Sequence, residues 1–161
     1  MRALQLLFFL AGITLMNACT EERLTLVVEE IRAAPGEQTC LQVTVEDFEN
    51  ILTMQYSIAW DNEVLRFVEV KDFGLPGLSA QNFGRPPSHP DRLTLSWFEP
   101  SLSSVTVPDN TAIFSVCFEV VGSSGQESPV MITDNPTIIE IANADEEVMD
   151  PSLLGGSVLV E

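Results

Sequence analysis

From Leu24 onward, apolar and polar residues alternate in short runs separated by turn residues, and no stretch holds a helical period. Residues 24–28 open the series. After the Pro35-Gly36-Glu37 turn, Leu41, Val43 and Val45 alternate with Gln42, Thr44 and Glu46. The clearest alternation sets Leu52, Met54, Tyr56, Ile58 and Trp60 against Thr53, Gln55, Ser57 and Ala59. Residues 65–70, 92–97, 111–121, 130–132, 137–141 and 157–160 complete the set. Between them, Gly74, Pro76, Gly77, Gly84, Pro86, Pro87 and Pro90 make 71–91 the longest irregular stretch. Strands at this spacing predict an all-β fold, a two-sheet β-sandwich of jelly-roll type, as one domain without internal repeats.

The chain starts differently. Arg2 precedes an apolar run of about 13 residues, too short to span a bilayer and suited to a secretory signal. The run ends Leu15-Met16-Asn17-Ala18-Cys19, which resembles the bacterial lipoprotein cleavage box and implies a signal peptide over 1–18 with Cys19 as the lipidated new N-terminus. Ordinary cleavage beside Ala18, leaving Cys19 a free thiol, is the alternative. Thr20-Glu21-Glu22 resembles the surface-export signal of Bacteroidetes lipoproteins, and 19–23 reads as a short acidic tether. The expected location is secreted, held to the bacterial outer membrane or cell surface by lipid.

Composition narrows the chemistry. With 24 acidic against 7 basic side chains the formal net charge is −17, which disfavours nucleic acid and adsorption to anionic membranes. Any membrane attachment rests on the lipid. A lone His leaves no His-rich metal site and little material for a Ser-His relay. An apolar fraction of 45% marks a folded chain. No cofactor, metal site or enzyme activity is expected.

Strand parity places both remaining thiols off the core face. Cys40 is out of phase with Leu41, Val43 and Val45, and Cys117 with Phe114, Val116, Phe118 and Val120. If the two strands are neighbours, a Cys40–Cys117 disulfide closes between them; otherwise both are free thiols exposed to oxidation.

The ordered segments Thr44-Val45-Glu46-Asp47-Phe48-Glu49-Asn50-Ile51, Gln55-Tyr56-Ser57-Ile58-Ala59-Trp60-Asp61 and Val64-Leu65-Arg66-Phe67 resemble the opening of cohesin domains. Val107-Pro108-Asp109-Asn110-Thr111, Phe114 through Gly122, and Gly155-Gly156-Ser157-Val158-Leu159-Val160 extend the resemblance over residues 24–161. It implies a nine-stranded jelly roll related to carbohydrate-binding modules, with the Cys40 and Cys117 strands adjacent. It also implies a dockerin-like protein partner that carries the calcium, bound through a sheet face containing residues 52–60 and 93–98.

On that face Thr53, Gln55, Ser57, Thr94, Ser96 and Phe98 are the expected partner-binding residues: small, uncharged groups around one aromatic, on an acidic protein. Direct polysaccharide binding is the second reading. It has few aromatics to use, because Trp60, Trp97 and Tyr56 fall on core parity; Phe98, Phe73, Phe83 and a groove of Gln81, Asn82 and Arg85 remain. A structural envelope protein is the third. The acidic run 143–150 lacks EF-hand spacing and reads as a solvated loop. His89 reads as a surface residue, and Asp61 with Glu99 as turn-capping acids, not a glycosidase pair.

Overall fold

The computed structural model describes residues 23–161. The expected signal peptide, Cys19 and residues 20–22 of the tether lie outside the described residues.

Among the described residues twelve strands follow one another: β1 (Thr25–Val28), β2 (Glu30–Ala33), β3 (Gln38–Glu46), β4 (Ile51–Ala59), β5 (Leu65–Lys71), β6 (Phe83–Gly84), β7 (Arg92–Phe98), β8 (Thr111–Val120), β9 (Glu127–Thr133), β10 (Glu140–Asn143), β11 (Ser152–Leu154) and β12 (Gly156–Val160). The helical content of the described residues is one 3-10 turn, Ala80–Asn82. Eight of the nine expected segments are strands along most of their length; of 137–141 only Glu140 and Ile141 are, because residues 134–139 form an irregular connection. The three additional ones, β2, β6 and β11, are two to four residues long, too short to display a period.

One sheet runs β11-β1-β3-β8-β5 and the other β2-β12-β9-β4-β7-β6. Strand β4 organises the second. It pairs with β7 along seven residues on one edge, and its other edge is divided between β9 at Ser57–Ala59 and β10 at Ile51–Gln55. Between the sheets lie the expected core residues, with Trp97, Tyr56, Phe48, Phe114 and Phe118 the largest of them fully buried. All the contributing strands fall within residues 24–160, so this segment encloses its own core.

Both chain ends cross between the sheets at a single residue, Glu29 between β1 and β2, and Gly155 between β11 and β12. The crossings pair in parallel, β1 with β11 and β2 with β12. They meet so closely that a Cβ on Gly156 would lie 2.0 Å from the Glu29 carbonyl oxygen and 2.6 Å from that of Val28. Only glycine admits this approach, since backbone cannot rotate aside as a side chain can.

Cys40 and Cys117 are direct partners in the β3–β8 ladder and are joined by a disulfide. Both are on the side of the sheet that parity assigns, but Cys117 is not exposed: it is 3% accessible. Strand β8 lies inside the sheet between β3 and β5, and its small outward groups, Ser115 as well as Cys117, are both buried.

Candidate functional site

The β4–β7 register brings the expected face residues together as cross-strand pairs: Thr53 opposite Phe98, Gln55 opposite Ser96, and Ser57 opposite Thr94. Alternation then turns Met54, Tyr56, Ile58, Leu93, Leu95 and Trp97 into the core. Leu52 is only partly buried, because it lies at the strand end where the ladder passes to the Glu99 turn.

Phe98 is the exposed aromatic of this face, at 60% accessibility. Ser96 is exposed, and Thr53, Gln55 and Thr94 are half-buried. Two of the hydroxyls are engaged within the sheet: Thr53 Oγ1 donates to the Trp97 carbonyl (2.9 Å) and Thr94 Oγ1 to that of Gly84 (3.2 Å). These bonds tie both hydroxyls to the backbone of the sheet itself.

Ser57 departs from expectation. It is outward by parity yet fully buried. The connection from β9 to β10 folds over the sheet there, and the Thr137 N–H donates to Ser57 Oγ at 2.9 Å. The open part of the expected face is therefore Thr53, Gln55, Thr94, Ser96 and Phe98. The covering segment contributes residues of its own. Ile138, next to Thr137, is exposed, as is Met131, which lies opposite Ala59 on β9. The inward parity of Val130 and Ile132 marks Met131 as outward in the sequence; Ile138 falls in the expected 137–141 strand but lies instead in the irregular connection before β10, so alternation does not place it.

Charge is sparse across this patch. Glu140 on β10 sits opposite Gln55, and Arg92 at the far end of the ladder is paired with Asp91. At the Phe98 end the next residue, Glu99, is buried and shapes the following turn. Its carboxylate accepts from the Ser103 N–H (2.9 Å) and the Ser101 hydroxyl (2.8 Å), and these bonds, the first foremost, hold its pKa below the usual carboxylate value. The turn it holds includes Leu102, exposed and left-handed at φ 58°.

Asp61 and Glu99 occupy opposite ends of the same ladder. Glu99 N–H donates to the Leu52 carbonyl, whereas Asp61 follows Trp60 past the other end of β4. Nine residues of extended strand separate those ends, about 30 Å. That is several times the spacing at which two carboxylates share a glycosidic bond, so they cannot act as such a pair.

The loop aromatics do not form a sugar platform. Phe73 packs on Phe83 (6.2 Å between centroids), and Phe83 packs edge-on against Phe114 (5.0 Å) in the core. Asn82 is occupied in its own turn, accepting from Ser79 N–H and donating to the Ser96 carbonyl, while Arg85 lies over Trp60 and Phe67. Gln81, Asn82 and Arg85 therefore line no common groove. The His89 ring hydrogen-bonds its neighbour Ser88 (Nδ1 to Oγ, 2.9 Å). The 143–150 loop folds on itself, with Asn143 Oδ1 accepting from the Asp145 and Glu147 N–H groups. Among the described residues, no group of three or more His, Cys, Asp or Glu side chains is placed to hold a metal ion.

A family model described as the cohesin domain matches residues 24–160. No curated protein sequence matches the chain significantly. Among solved structures, the type I cohesin–dockerin complex of Clostridium thermocellum containing the OlpA cohesin superposes with a TM-score of 0.72 at 16% identity, covering 86% of this chain and 99% of that one. The sixth cohesin of Acetivibrio cellulolyticus scaffoldin B, solved with a Cel5 dockerin, gives 0.73 at 14% identity over 86% and 99%. A non-cellulosomal cohesin from the archaeon Archaeoglobus fulgidus gives 0.67 at 15% identity over 86% and 91%. At these identities the superpositions establish the shared jelly-roll fold, and the family match extends over nearly the whole described chain. The chain belongs to the cohesin domain family.

Proposed function

We propose that this domain is a non-catalytic docking module that seats a dockerin-like protein on the open face of β4 and β7. The carrying observation is the register that places exposed Phe98 beside Thr53 and within reach of Gln55 and Ser96, an apolar anchor among small uncharged groups on a strongly acidic protein. Similar folds that have been solved with dockerins support the choice of partner. The calcium belongs to that partner. Attachment of the chain to the cell surface through lipidated Cys19 completes the reading, and the Cys40–Cys117 disulfide suits an oxidising, extracytoplasmic compartment.

The experiment is capture. The domain from residue 20 onward is immobilised and exposed to the secreted and envelope fractions of the native organism, with and without a calcium chelator. Retained proteins sharing a duplicated calcium-loop module, released on chelation, support the reading. An empty capture contradicts it.

A further inference from the structure

We propose a second binding site, for the carboxylate-bearing ring of an acidic sugar, in the cleft between Trp60, Asn62, Leu65, Arg66, Phe67 and Arg85. The cleft measures about 290 Å³ and opens where the end of β4, the start of β5 and the loop before β7 converge. It lies away from the docking face. Trp60 is seven residues along the β4 direction from Thr53, so about 23 Å of strand separates it from the Phe98 pair.

Three features select the ligand. First, the cleft is rich in donors. Four of the six described cations are tied to carboxylates, Arg23 to Asp150, Arg32 to Glu161, Arg66 to Glu119 and Arg92 to Asp91. Arg85 forms no ion pair among the described residues, in a protein with more than three acids for each base. Its one hydrogen bond runs from Nη2 to the Pro90 carbonyl (2.9 Å). No carboxylate is among the residues lining the cleft. Second, Arg85 is already oriented. Its guanidinium stacks on Phe67 (4.8 Å) and reaches Trp60 (5.9 Å), and a face-stacked guanidinium keeps its N–H edge free for a planar, bidentate acceptor. Third, Trp60 is 4% accessible and its Nε1–H has no acceptor. Trp60 also forms part of the cleft wall with Leu65 and Phe67, an apolar surface that suits a ring and not a bare ion, and its indole therefore reports on what is seated there.

The matching molecule is acceptor-rich, carries a carboxylate, and has an apolar ring face to set against the wall that Trp60, Leu65 and Phe67 contribute. A uronate has all three properties. A neutral hexose lacks the charge, and a small inorganic anion lacks the ring.

The two indoles make the test direct, because Trp97 Nε1–H is satisfied by the Pro76 carbonyl (2.9 Å) and serves as an internal reference. A galacturonate trimer is titrated into 15N-labelled domain, alongside the matched neutral galactose trimer, sodium sulfate, and a peptide with a free C-terminal carboxylate. The Trp60 indole signal is expected to shift with the uronate alone while that of Trp97 stays fixed. Arg85→Gln should weaken the response about tenfold or more, the loss of a charged hydrogen bond, and Phe98→Ala should leave it unchanged. No shift at Trp60, an equal response to the neutral trimer, to sulfate or to the peptide, or full binding by Arg85→Gln overturns the proposal. The docking reading is unaffected by any of these results.

Discussion

The backbone N–H of Thr137 donates to Ser57 Oγ across the outer face of the sheet, 80 residues apart in sequence and 2.9 Å in space. The bond pins the connection between β9 and β10 onto the middle of β4. It also divides that face into a covered part at Ser57 and an open part around Thr53 and Phe98.

Ser57→Asp should therefore act on stability before it acts on binding. A carboxylate at a fully buried position must be desolvated or must displace the 134–139 connection. A loss of about 2 kcal/mol or more in urea denaturation is expected. A stable variant with selectively weakened docking would show instead that Ser57 is a contact residue.

Tyr56 offers the opposite sign. Its hydroxyl is completely buried without a hydrogen-bond partner, and burial drives its pKa far upward. Tyr56→Phe removes an unsatisfied polar group while keeping the ring, so a gain of roughly 1 kcal/mol is expected. Chemical denaturation monitored by tryptophan fluorescence checks it. A clear loss would mean that the hydroxyl has a partner in solution.

The Cys40–Cys117 bridge spans 77 residues of sequence. In the chain-entropy account such a loop contributes about 4 kcal/mol by restricting the unfolded chain. The double variant Cys40→Ala/Cys117→Ala should melt well below the parent under non-reducing conditions. The parent in reductant should converge on the variant. Equal melting temperatures for parent and variant would contradict this.

Glu99 links the Phe98 turn to pH. Its folded pKa is lowered by the Ser103 and Ser101 bonds, so the unfolded chain takes up the proton first as pH falls. The contribution is present above the unfolded value of about 4.3 and is lost as pH drops through the lower folded pKa. Glu99→Gln should thus be less stable than the parent near neutrality, with the gap closing below about pH 4. A gap that persists unchanged into acid would show that the carboxylate charge is not what holds the turn.

Much of this was legible in the sequence because alternation is a local signal. Every residue from Met54 to Ile58 in β4, and from Leu93 to Phe98 in β7, points to the side that its parity assigns. What parity does not encode is what comes to lie over an outward residue. Ser57 is covered by a segment 80 positions away, and Cys117 is buried in a strand flanked on both sides. Short strands are equally silent: β2 and β11 exist because the chain ends cross between the sheets at Glu29 and Gly155, a tertiary event signalled locally only by the Gly155-Gly156 pair. The Arg85 cleft is assembled from residues 60–67 and 85–90 and from Val121, so no contiguous motif announces it.

The central claim is docking through the open β4–β7 face, and the measurement closest to it is the calcium-dependent affinity of a captured dockerin-like module for the parent domain, Phe98→Ala and Ser96→Arg. Removal of a central aromatic anchor should weaken binding by about thirtyfold, a hot-spot-sized loss of roughly 2 kcal/mol. Ser96→Arg should weaken it comparably, with both variants melting like the parent and chelation abolishing binding by all three. Parent-like affinity in both variants, or binding indifferent to calcium, would contradict the account.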